Sequence, residues 1–195
     1  TTGTSDSQLE MTAKLELSHE DFLELKAYAE EIGLEVFSTP FDIGSVEFLD
    51  SIGQNLWKIP SGEITNLPYL NRIGAIKREG KKVMLSSGMA TIEEIENCIE
   101  ILVNAGTKEC DIILLHCNTE YPTPDKDVNI LAINDLKKHF PNVKIGFSDH
   151  SVGYTAAIGA AVLGIDLIEK HFTLDKNYEG PDHKASATPN ELKEL

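Results

Sequence analysis

Two histidines end two apolar runs of this chain. Gly146-Phe147-Ser148 breaks into the polar cluster Ser148-Asp149-His150-Ser151, and about twenty residues later Leu167-Ile168-Glu169-Lys170 ends in His171. If the two runs are neighbouring strands, their imidazoles reach one end of a sheet and can hold a divalent metal between them. Two strand-end histidines bonded to backbone would give the same spacing, which leaves both readings open. A second group with chemical potential is Lys58, Ser61 and Glu63 in KIPSGE. A strand-end lysine brings local positive charge, and a hydroxyl beside it donates to phosphate or carboxylate oxygens. Thr39, Ser86 and Ser148 end three further runs. Each alone reads as a turn or cap residue; together they suit a polar pocket only if one fold brings the strand ends together.

The elements that would do so recur along the chain. Apolar runs at 34–40, 56–63, 83–88, 112–122, 144–148 and 167–171 alternate with helical patterns at 18–32, 45–49, 66–79, 91–106, 128–140 and 154–163, and a last helix begins near Thr188. Ser18 with Asp21 and Thr91 with Glu94 form capping boxes, while Gly33, Gly80, Gly106 and Gly164 stop helices. Residues 1–13 read as the tail of a loop. The strands are apolar throughout, which suits a parallel sheet buried on both faces. Six βα units with polar strand ends predict an α/β fold of the (β/α)8 barrel type, with chemistry at the C-terminal ends of the strands. The rival is an open doubly wound sheet, but no GxGxxG or Walker A sequence is present. A whole barrel needs eight strands in about 250 residues. The expectation is therefore a partial barrel domain over 1–195 holding strands 3–8, with two strands lying outside this chain.

Composition narrows the partners. The net charge of −15 over 195 residues argues against nucleic acid and anionic membrane surfaces. No run approaches the roughly 20 apolar residues of a membrane span. Cys98, Cys110 and Cys117 show no paired spacing and read as buried thiols of a reducing cytoplasm.

STPFD (38–42), KIPSGE (58–63), SSGM (86–89), HCNTEYPTP (116–124), GFSDHS (146–151), EKHFTLD (169–175) and GPDHKAS (180–186) occur in order at strand ends. Together they resemble the N-acetylneuraminate (sialic acid) synthase family, which includes the legionaminic and pseudaminic acid synthases. The resemblance implies a TIM barrel followed by a small antifreeze-like domain that lies outside this chain. It implies condensation of phosphoenolpyruvate with an open-chain N-acetylmannosamine-type sugar, with release of phosphate, a divalent Mn²⁺ or Mg²⁺, and a homodimeric full-length parent. His150 and His171 match the family's metal ligands. Lys58 and Ser61 match a site for phosphoenolpyruvate, Thr39, Ser86 and Ser148 match positions lining the same pocket, and Thr119 and Tyr121 match further pocket positions, where many members carry Asn or Ser in place of Thr119. Glu63 matches a carboxylate that handles water or protons near the reacting carbons, and Asp182 an aspartate near sugar and metal. Outside the family, Glu63 reads as a helix-start glutamate and Asp182 as a turn residue. His19, His116, His139 and His183 read as structural or exposed, and Lys170 as facing away from the pocket. Two other readings remain, a different metal-dependent barrel aldolase or hydrolase and a catalytically incomplete barrel segment. The resemblance places a glutamate and a lysine of the active site on the first two strands, so weak or absent catalysis is expected of the 195 residues alone.

Overall fold

Aliphatic runs without polar alternation are stable only when both sheet faces are covered. Five of them pair here. The computed structural model describes residues 13–180 and 182–195. Strands β1 (Leu56–Ile59), β2 (Lys82–Ser86), β3 (Ile112–Cys117), β4 (Lys144–Asp149) and β5 (Leu167–Lys170) form one sheet in chain order. Every neighbouring pair is parallel. The connecting helices are α2 (Ile43–Ser51), α3 (Leu67–Gly74), α4 (Ile92–Ala105), α5 (Ala132–His139) and α6 (Thr155–Val162), with α7 (Pro189–Glu194) at the end. Residues 1–38 and 39–195 are separate compact units. The first carries helix α1 (His19–Glu31), which the Ser18–Asp21 capping box opens and Gly33, at φ 74°, follows. The loop expected at 1–13 lies, but for Ala13, outside the described residues.

The core lies between sheet and helices. Trp57, Ile59, Val83, Leu85, Ile112, Leu114 and Leu115 of β1–β3 are fully buried. Leu70 and Ile73 of α3, Leu102 of α4 and Ile133 of α5 are equally enclosed. Helix α3 packs on α4 at Gly74, where an added Cβ would lie 2.5 Å from Ala105 Cβ.

Lys58 on β1 and Glu169 on β5 stand on the two outermost strands. In a flat sheet, four strand spacings would part them by roughly 19 Å. Their side chains instead meet, Nζ to Oε1 at 2.9 Å. The sheet is therefore strongly curled, a half-barrel whose concave side gathers the strand ends.

Two expectations change. Residues 34–40 form no strand. The run ends in Pro40, which has no N–H for a ladder, and Leu34 is exposed. Five strands, not six, are thus present among the described residues. The helix expected over 66–79 stops at Gly74, because buried Lys81 takes the carbonyls of Ile73 and Gly74 and so closes the helix end. Both capping boxes, Ser18–Asp21 and Thr91–Glu94, form.

Candidate active site

Curling brings nine of the eleven expected site residues into one cavity of about 560 Å³: Thr39, Lys58, Ser61, Ser86, Thr119, Tyr121, Ser148, His150 and His171. Phe41, Met89, Cys117 and Glu169 share its lining. Glu63 and Asp182 are outside it. Glu63 ends a short 3-10 turn (Ser61–Glu63), and its carboxylate accepts the Asn66 amide at 2.6 Å. Asp182 Oδ2 lies 3.7 Å from His171 Nδ1.

The floor is polar and tightly held. Lys58, 8% exposed, donates to both oxygens of Glu169 at 2.9 and 3.0 Å. Ser148 Oγ donates to Glu169 Oε1 at 2.6 Å and lies 3.1 Å from His150 Nε2. Ser61 Oγ accepts the Gly88 N–H at 3.1 Å and sits 3.4 Å from Cys117 Sγ. Gly88 is required for this closeness. A Cβ there would stand 2.7 Å from both Ser61 Oγ and Thr119 Cγ2.

The proton positions of His150 follow from its partners. Nδ1 is 2.5 Å from the Asn118 carbonyl, which can only accept, so Nδ1 carries the hydrogen. Burial, the largest influence, holds its pKa below the ordinary value of 6.5, and the neutral ring then presents a lone pair at Nε2. The nearest group, Ser148 Oγ, has already given its hydrogen to Glu169. Two lone pairs face each other, an arrangement that a cation satisfies, and an N–H fixed on a backbone carbonyl is the usual support of a metal-bound imidazole. His171 stands beside it with ring centroids 5.6 Å apart. Among the described residues no cluster of three or more His, Cys, Asp or Glu side chains is arranged for a metal. The donors on offer are the two imidazoles, leaving other coordination positions to water or substrate.

Tyr121 packs on both rings, stacked on His150 at 4.0 Å and edge-on to His171 at 5.3 Å. Its hydroxyl pKa is pushed up to about 12, first by burial and then by the neighbouring Cys117, Asp182 and Glu169. His116 is structural as expected, with Nε2 2.8 Å from the Val128 carbonyl and its ring stacked on Phe147. Contrary to expectation, Lys170 does not face away: it pairs with buried Asp149 and also contributes to the cavity lining.

Sequence reasoning missed Glu169. The signal was present: residues two apart on a strand share a face, so a pocket-facing His171 implies a pocket-facing Glu169. Cys117 was read as a buried thiol and is one, but at the cavity wall. Cys98 is also buried, whereas Cys110 is exposed, since it sits in the surface turn Glu109–Asp111.

Known proteins match this chain over most of its length. It is 49% identical over 195 residues to N,N'-diacetyllegionaminic acid synthase of Campylobacter jejuni, covering 100% of this chain and 57% of that protein. It is 36% identical over 181 residues to human N-acetylneuraminate-9-phosphate synthase, covering 93% and 49%. The chain thus spans about half the length of the curated relatives it matches. A crystal structure of N-acetylneuraminic acid (sialic acid) synthetase from Leptospira borgpetersenii in complex with citrate superposes with a TM-score of 0.89 at 34% identity, over 98% of this chain and 65% of that one. The profile of the NeuB family matches residues 1–195, and the chain belongs to that family.

Proposed function

We propose that the protein carrying this chain condenses phosphoenolpyruvate with an open-chain N-acetylmannosamine-type sugar, giving a nonulosonic acid and phosphate. The observation that carries this reading is one cavity holding a buried lysine, the hydroxyls of Thr39, Ser61, Ser86 and Ser148, and two adjacent imidazoles. The relatives' names, legionaminic acid and N-acetylneuraminate-9-phosphate synthases, support the product class.

In this reading Lys58 binds the anionic substrate, exchanging part of its bond to Glu169 for phosphate or carboxylate oxygens. Ser61, Ser86 and Thr39 donate to the same oxygens and fix the enol face, while Ser148, its hydrogen on Glu169, holds that carboxylate in place. Thr119 and Tyr121 close the wall, and the Tyr121 ring packs against both imidazoles. His150 and His171 would hold Mn²⁺ or Mg²⁺, which when bound supplies Lewis acidity toward the sugar aldehyde. Asp182 orients His171. The enol carbon attacks the aldehyde carbon, whose C=O π pair becomes a hydroxyl on taking a proton. Water adds to the resulting cationic carbon, and collapse of that tetrahedral carbon to a ketone breaks the C–O bond to phosphate, which leaves with the hydroxyl's proton. Glu63, oriented by Asn66, accepts the water's proton.

Phosphate release that needs both phosphoenolpyruvate and sugar tests the reading. Lys58→Met should lower it by about 10²- to 10³-fold, the scale on which loss of one charge-stabilising donor acts. Release without sugar, or an unaffected Lys58→Met variant, would reject it.

A further inference from the structure

The register of β4 and β5 places three residue pairs in succession at the cavity end. Ser148 opposes Glu169 and Asp149 opposes Lys170, the last rung of the ladder. His150 and His171 follow directly. Ser148 and Glu169 bond inside the cavity at 2.6 Å. On the last rung, Lys170 Nζ meets Asp149 Oδ2 at 3.0 Å, with side-chain exposures of 4% and 0%.

We propose that the buried Asp149–Lys170 pair is a positioning device that sets where His150 stands relative to His171. The proposal rests on the metal reading above. Each member of the pair directly precedes one histidine. The pair also ties down the far side of His150. Asp149 Oδ1 accepts the Ser151 N–H at 2.9 Å and its hydroxyl at 2.6 Å, and Lys170 Nζ donates to the Ser151 carbonyl at 2.9 Å. His150 is thus held between two residues anchored to the neighbouring strand. A charged pair enclosed this fully does little for net stability, since desolvation offsets its attraction. It does fix register, because a one-residue slip would part Lys170 from Asp149 and turn both histidines out of line. Aliphatic side chains on the last rung would pack without that directional demand.

The test compares Asp149→Asn/Lys170→Met with the wild type. The double variant removes both charges together and leaves no unpaired buried ion. Mn²⁺ affinity by calorimetry is expected to weaken about 10- to 100-fold, as for lost supporting partners of metal ligands. The visible absorption of the Co²⁺-loaded protein should change shape with it. Lys81→Met is the control: Lys81 is also buried but bonds Ile73, Gly74 and Thr107, so its loss should lower stability and leave affinity within twofold. Lys170→Arg keeps the charge with a different reach and should shift the Co²⁺ spectrum. Unchanged affinity and spectrum in whichever of the Asp149 and Lys170 variants fold would overturn the proposal. Survival of Mn²⁺ binding in His150→Ala would sink the metal reading instead. The imidazole ¹⁵N shifts of His150 in metal-free protein would then decide the positioning role, with displaced shifts in the double variant for it and unmoved ones against.

Discussion

At Gly88 a single hydrogen atom decides whether the site forms. Ser61, Thr119 and Cys117 converge on its Cα, and a methyl would meet two of them at 2.7 Å. Gly88→Ala should push both side chains back, cost about 1–3 kcal/mol in urea unfolding, and weaken binding of a phosphoenolpyruvate probe. The buried imidazoles give a pH signature. Burial lowers the pKa of His116 and His150 below 6.5. The unfolded chain therefore takes up protons at higher pH than the folded one. Their contribution is complete above pH 6.5 and is lost as pH falls below it toward the folded values. Thermal unfolding should show the melting temperature dropping over that window, with a shallower drop in His116→Asn. At this scale the sequence displayed the histidines, Lys58 and the hydroxyls, because they recur together where successive apolar runs stop. It hid the role of Gly88, which exists only through residues 27 and 31 positions away in the chain, and the Ser148–Glu169–Lys58 chain of bonds.

Helices with local signals were readable; those ended by distant groups were not. The Thr91–Glu94 box opens α4 and Gly106, at φ 126°, closes it, as the spacing predicts. Thr91→Ala should cost about 1 kcal/mol in denaturant unfolding without touching the cavity. Helix α3 ends early because Lys81 and the fit of Gly74 against Ala105 intervene, and neither acts within the helix's own sequence. The run 34–40 has strand composition, but composition supplies no ladder partner. The five runs that did pair are those with a parallel neighbour in the sheet.

Over the whole molecule, parallel order and a barrel-type curl were legible from the repeat of βα units, while the Lys58–Glu169 contact that joins the first and last strands was not. The net charge of −15 should raise the local concentration of divalent cations. Mn²⁺ affinity should accordingly weaken several-fold between 10 and 150 mM salt, as the screening length shrinks from about 30 to about 8 Å. The Lys58–Glu169 bond spans 111 residues of chain. Closing so long a loop is slow and comes late, so the cavity is among the last things the folding chain completes. Trp57, the one tryptophan, is fully buried on β1 beside Lys58. In refolding, its emission should reach the native value before Mn²⁺ binding returns. A nascent chain that has not yet made β5 would own a core and no binding site, so ligand capture can report that synthesis has passed residue 169.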